Sequence, residues 1–135
     1  MSFVFPVRVY WEDTDAGGIV FYANYLKFFE RARTEWLRHL GLSQQVLKIN
    51  TGGMFVVSET QLKYHRPAQL DDLLEVSARL QDKGRASLVI AQQAWRVQED
   101  HSRTLLCEGT IRIGWVHAQA LKPDRIPSSI LELLS

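Results

Sequence analysis

Two carboxylates, Asp13 and Asp15, stand two residues apart in the segment DTDAGG at residues 13–18, where a Gly-Gly pair frees the backbone for tight turning. An apolar patch, Ile19-Val20-Phe21, follows at once and leads into a stretch with helical spacing. The start of a helix exposes up to four unpaired N–H groups and carries about half a unit of positive charge. Such donors polarise a carbonyl oxygen and hold the oxyanion that forms when its carbon is attacked. A carboxylate beside them has two options: it attacks the carbonyl carbon directly, or it takes a proton from an attacking water. Together these parts can hydrolyse an activated acyl group without a metal or a Ser-His pair. The plainer reading is structural, because Asp ahead of a helix commonly caps it and Gly-Gly commonly just turns the chain.

Other reactive residue types give weaker signals. Cys107 lies in the apolar run TLLCEG, where a free cysteine is expected in the core rather than as a nucleophile. Histidines 39, 65, 101 and 117 lack metal-ligand spacing, so neither a metal nor a cofactor is expected. Glu30 with Arg33, and Glu35 with Arg31 and Arg38, are spaced to support a helix surface. Glu59 falls on a strand, and nothing singles it out. The four tryptophans read as core and interface residues.

The elements that must position the carboxylates follow from periodicity. Val7-Arg8-Val9-Tyr10 alternates apolar with polar, predicting a first strand that begins after Pro6, at a sheet edge. A long helix is expected over 22–40, with Tyr25, Phe28, Phe29, Ala32, Trp36, Leu37 and Leu40 on one stripe. Lys27, Glu30, Arg31, Arg33, Thr34, Glu35 and Arg38 fill its polar side, and Gly41 is suited to end it. Strands are expected near 53–65, 72–82, 86–98 and 104–117, the third buried on both faces and the fourth half-solvated. ILELL, after Pro127, predicts a terminal helical turn. The order β-α-β-β-β-β with short connections implies an antiparallel sheet carrying one long helix, an α+β domain.

Length and composition bound the rest. A chain of 135 residues, 46% hydrophobic, suits one domain with one sizeable core over 1–135. A net charge of +1 gives no electrostatic reason to expect nucleic acid or an anionic membrane as partner. Neither a signal peptide nor a membrane-spanning stretch is expected, and a single cysteine suits a reducing compartment, so the expected location is cytoplasmic.

The run VRVYWEDTDAGGIVFYANYLKFFERARTEWL resembles the N-terminal motif of the 4-hydroxybenzoyl-CoA thioesterase family of hotdog proteins. Within it, the chain is most similar to the Tol–Pal-cluster-associated acyl-CoA thioesterases. The likeness continues through KYHRPAQLDDLLEV at 63–76 and GRASLVIAQQ at 84–93. It implies a hotdog fold, a five-stranded antiparallel sheet wrapped around one long helix. It also implies homo-oligomers, commonly tetramers, with active sites at subunit interfaces. The second aspartate of the DxD motif, here Asp15, matches the catalytic group, while Asp13 is expected to shape the loop. Tyr22 matches the residue whose backbone amide faces the thioester oxygen. Histidine is usual there in the Tol–Pal-associated branch, whereas tyrosine occurs in the hydroxybenzoyl-CoA branch. Asn24 and Tyr25 match the helix start, as substrate contacts or as capping and packing residues. Arg85 matches a contact to the nucleotide end of coenzyme A, with Lys83 and Ser87 as neighbours; Arg66 and Lys63 are weaker candidates. The implied function is acyl-CoA hydrolysis. The alternatives are an aryl-CoA thioesterase of the 4-hydroxybenzoyl-CoA type and a module that only binds acyl-CoA or acyl carrier protein. A hotdog dehydratase is disfavoured by the lack of a His-Asp pair on a helix.

Overall fold

The computed structural model describes residues 3–134. Along the chain run β1 (Phe3–Arg8), α1 (Tyr25–His39), α2 (Gln44–Thr51), β2 (Gly53–Tyr64), β3 (Leu73–Lys83), β4 (Ser87–Val97), β5 (Arg103–His117) and α3 (Ser128–Leu133). Single 3₁₀ turns at Trp11–Asp13 and Tyr22–Asn24 flank the glycine-rich loop. The strands form one antiparallel sheet in the order β1-β3-β4-β5-β2, the hotdog arrangement the sequence implied.

The sheet curls because extra residues interrupt its ladders at Val57/Glu59, Leu80/Asp82 and Ala94/Trp95, and such bulges bend and twist a strand. Two glycines let the neighbouring strands β2 and β5 lie close together. A side chain at Gly109 would overlap the Gln61 carbonyl, and one at Gly53 would overlap the Trp115 ring. Into the concave face α1 lays Phe28, Phe29, Ala32 and Leu37, buried against Leu74, Val76, Leu88, Ile90 and Ile111. Burying each phenylalanine contributes about 1.5–3 kcal/mol. The helix then stops where Gly41 takes φ +88°, with Leu42 N–H closing on the Leu37 carbonyl at 2.8 Å, a left-handed cap.

Several expectations are corrected. β1 begins at Phe3, before Pro6, because an edge strand accommodates a residue that donates no ladder bond. Helix α2 was not expected; none of its residues is buried, so no apolar stripe announced it, although Ser43 precedes it and Gly52 at φ +73° ends it. β4 is buried on the face turned to α1 and only half-buried on the other. Trp11 is 79% exposed, whereas Trp36 and Trp115 are core residues. Arg33, placed on the polar side of the helix by spacing, is buried: its Nη1 donates to Gln92 Oε1 at 3.0 Å across the core. Of the proposed surface pairs, Arg38 and Glu35 form an ion pair.

Candidate active site

The carboxylate loop is built by its own hydrogen bonds. Asp13 is buried and its Oδ2 accepts the Tyr10 N–H at 2.9 Å, while its carbonyl accepts the Phe21 N–H at 3.0 Å and the Asn24 side-chain amide at 2.9 Å. Asn24 therefore ties the start of α1 to the loop and does not cap the helix with its side chain. Thr14 pairs with Val20 as an isolated bridge, so residues 14–20 form a miniature hairpin. At its tip the Asp15 carbonyl accepts the Gly18 N–H at 3.1 Å, and Gly18 takes φ +80°, a conformation that favours glycine.

Asp15 is exposed, and its Oδ1 accepts the Gly17 N–H at 2.8 Å. Gly17 permits this approach, since a Cβ there would lie 3.2 Å from that oxygen. Oδ2 takes no hydrogen bond among the described residues. One oxygen of the carboxylate is thus fixed and the other is open to solvent or substrate, the arrangement a base or nucleophile needs.

The hairpin is pinned to the segment after β2. Val20 N–H donates to the Ala68 carbonyl at 2.8 Å, and Ala68 N–H donates to the Tyr25 hydroxyl at 3.1 Å. Tyr25 is 2% exposed, so it is a packing residue whose ring also reaches an open cavity. That cavity, of about 350 Å³, is lined by Ile19, Val20, Tyr22, Tyr64, His65 and Pro67 among others. Arg66, a weaker candidate, also lines it. The Tyr64 hydroxyl donates to the Tyr22 carbonyl at 3.0 Å, and burial raises the pKa of both Tyr25 and Tyr64 above the ordinary phenol value. Both therefore remain protonated at neutral pH.

Tyr22 itself is 64% exposed, and its N–H takes no backbone bond among the described residues. An N–H without a backbone partner, in the turn that leads into α1 and beside an apolar cavity, can polarise a carbonyl oxygen. His65, at the cavity wall, bonds Glu108 at 2.8 Å and holds that carboxyl below the usual range. Tyr64, His65 and Pro67 were not picked from the sequence as site residues, because only folding brings the end of β2 beside the helix start.

The cationic group lies elsewhere in the chain. Arg85 is exposed in the β3–β4 turn, where its carbonyl accepts the Ile126 N–H at 2.8 Å. The Ser87 hydroxyl accepts from Arg112 Nη1 at 3.3 Å, and the Lys83 ammonium donates to the Leu131 carbonyl at 3.5 Å. Lys83, Arg85 and Ser87 are thus near neighbours, joined by the unforeseen Arg112. The Asp15 loop packs at the Leu73 end of β3, since Val9 N–H bonds the Asp72 carbonyl. Arg85 follows the Lys83 end, and 11 residues of strand separate the ends by roughly 30 Å. Asp15 and Arg85 of one chain do not meet.

Cys107 is fully buried, and burial pushes its thiol up to about 12, which makes it inert as a nucleophile at neutral pH. Among the described residues no His, Cys, Asp and Glu gather as three or more potential metal ligands, and no helix is long and apolar enough to cross a membrane.

Comparison with known proteins bears on the family and the fold. The thioesterase superfamily pattern matches residues 17–102, more than half of the chain. The acyl-CoA thioester hydrolase YbgC of Escherichia coli is 43% identical over 129 residues, covering 96% of this chain and 92% of that protein. The acyl-CoA thioesterase YbgC of Haemophilus influenzae is 41% identical over 129 residues, covering 96% and 91%. In fold, the 4-hydroxybenzoyl-CoA thioesterase of a Pseudomonas strain superposes with a TM-score of 0.89 at 20% identity, covering 98% of each chain. This chain therefore belongs to the thioesterase superfamily, as a thioester-cleaving enzyme on the hotdog fold.

Proposed function

We propose that the protein hydrolyses acyl-CoA thioesters to free acid and coenzyme A, with Asp15 as the reacting carboxylate. The observation that carries this reading is the Asp15 side chain itself, fixed at Oδ1 and open at Oδ2 in the hairpin that leads to the helix start. The names of the E. coli and H. influenzae relatives support the substrate class. The thioester carbonyl oxygen accepts the Tyr22 N–H, and the acyl group enters the cavity beside Tyr22 and Tyr64. If Asp15 attacks directly, its oxygen bonds the carbonyl carbon, the C–S bond breaks and the coenzyme A thiolate leaves. Water then hydrolyses the resulting anhydride. If Asp15 acts as base, it takes the proton of a water that attacks the same carbon; the tetrahedral adduct then collapses, the C–S bond breaks and the coenzyme A thiolate leaves and is protonated. Single turnover in ¹⁸O-water tests the first route: label entering the Asp15 carboxylate marks direct attack followed by water addition at the aspartyl carbon of the anhydride.

Arg85, with Lys83 and Ser87 beside it, binds coenzyme A phosphates, as cationic residues do. Because Arg85 lies at the other end of the sheet from Asp15 in one chain, this reading requires a homo-oligomer, a dimer or tetramer in which one copy's Arg85 serves another's Asp15. Mixing Asp15→Asn with Arg85→Ala protein tests the arrangement, since mixed assemblies regain one intact site. The enzyme acts as one domain over 1–135 in the cytoplasm, where a cysteine without a disulfide partner is ordinary.

A second reading is aryl-CoA hydrolysis. Tyr22, Tyr25 and Tyr64 surround the cavity, with Tyr64 edge-on to both others, and such rings suit an aromatic acyl group. A panel from acetyl- to palmitoyl-CoA, with benzoyl- and 4-hydroxybenzoyl-CoA, decides between them through kcat/KM. Binding of every thioester without release of coenzyme A would leave only the non-catalytic module.

A further inference from the structure

Arg33 is a cation the reaction above does not use. It sits midway along α1, about 16 Å of helix beyond Tyr22 at 1.5 Å per residue, and is only 9% exposed. Its one hydrogen bond, from Nη1 to Gln92 Oε1 at 3.0 Å, is to a neutral acceptor. The Gln92 amide is locked in that sense, because its Nε2 donates to the Phe29 and Ser77 carbonyls, each at 3.1 Å. Among the described residues, no fully buried side-chain nitrogen lacks a partner, so the other guanidinium nitrogens of Arg33 keep some access to solvent. Arg33 lines a cavity of about 150 Å³.

The cavity has two kinds of wall. Leu37, Phe55, Val57 and Ile113 make an apolar side, and Thr34 and Gln44 a polar rim in which Gln44 donates to the Thr34 hydroxyl at 3.1 Å. Glu30 also lines it and accepts from that hydroxyl at 3.1 Å, but it forms no ion pair with Arg33. Burial lowers the pKa of Arg33, with Glu30 opposing, yet a guanidinium stays charged at any ordinary pH. A largely buried cation whose hydrogen bond goes to a neutral partner gains most from a bidentate acceptor, which a carboxylate matches in plane and spacing. The negative charge of Glu30 repels any anion, a dianion such as phosphate more strongly than a monocarboxylate, and the apolar wall favours a short hydrocarbon tail.

We propose that Arg33 and this cavity form a binding site for a small monocarboxylic acid of short alkyl chain. The site does not rest on the hydrolysis reading, and binding rather than turnover tests it. Because a carboxylic acid is also the product of the proposed reaction, butanoate is titrated into both wild-type and Asp15→Asn protein, with affinity followed calorimetrically and the Arg33 Nε–H resonance by NMR. Butanoate is expected to bind both proteins and to shift that resonance. Arg33→Met should weaken it roughly 10- to 150-fold, the range for hydrogen bonds to a charged group. Gln44→Trp fills the rim while leaving the arginine in place, and should weaken binding as well; it keeps the test decisive if Arg33→Met does not fold. Neutral butanamide should not compete. The site is overturned if butanoate fails to bind wild type, binds Arg33→Met unchanged, is displaced equally by butanamide, or loses its binding in Asp15→Asn.

Discussion

Replacing Asp15 by asparagine separates the proposed chemistry from architecture, because Oδ1 accepts the Gly17 N–H while Oδ2 takes no hydrogen bond among the described residues. The Oδ1 hydrogen bond to Gly17 N–H survives, since asparagine keeps a carbonyl oxygen and readily forms the same turn. The residue is exposed, so the change in stability should stay within about 0.5 kcal/mol. At about 2.1 cal/mol/K per residue, 135 residues give an unfolding entropy near 0.28 kcal/mol/K, so melting should move by no more than about 2 °C. Turnover should fall at least about 10²-fold, the lower range for losing a positioned base, with substrate binding retained. Asp13→Asn is the control. Asp13 is 6% exposed and its Oδ2 holds the Tyr10 N–H, so an amide brings a buried donor that needs a new acceptor. That costs about 1–3 kcal/mol, or about 4–10 °C, with a smaller effect on the chemical step. Thiol release at saturating acyl-CoA, read beside a thermal melt, measures both. Wild-type turnover in Asp15→Asn would refute the catalytic assignment, as would a loss of activity that merely tracks a loss of folded protein.

Three further tests follow from the site and core. Tyr22→Phe should be mild and Tyr22→Pro severe in turnover if the N–H polarises the thioester. Proline fits locally, because Phe21 already has the extended conformation that precedes proline and the Tyr22 N–H has no backbone partner to lose; circular dichroism checks that the helix persists. Arg85→Ala should raise KM roughly 5- to 150-fold with little change in kcat, less so at high salt and not at all for a pantetheine thioester lacking the nucleotide. Equal penalties on full and truncated substrates would count against a phosphate contact. For Cys107, burial raises the folded pKa from 9.0 to about 12, so the unfolded state loses the proton first. Stability should be intact below pH 9 and fall between about pH 9 and 12, by up to about 1.4 kcal/mol per pH unit. Chemical denaturation across that window should show a flatter profile in Cys107→Ala, and an unchanged slope would show that the thiol is not the titrating group.

Much of this protein was legible in the sequence because its signals are local. The alternation of apolar residues in β5 and the stripe on α1 are set by strand and helix periods, and DTDAGG is a turn by composition alone. The motif around Asp15 carried the family, since loop and helix start are contiguous in the chain. What the sequence left out depends on residues far apart in the chain. Tyr64 reaches Tyr22 across 42 residues, and Gln92 reaches Arg33 across 59. Periodicity put Arg33 in solvent because spacing records only which side of a helix a residue occupies, not what the sheet brings to meet it. Helix α2 stayed silent for the complementary reason: it buries no residue, so no apolar pattern was required of it. The distance between Asp15 and Arg85 was equally hidden. Only the sheet, by running β3 from one loop to the other, sets the carboxylate and the cation at opposite ends.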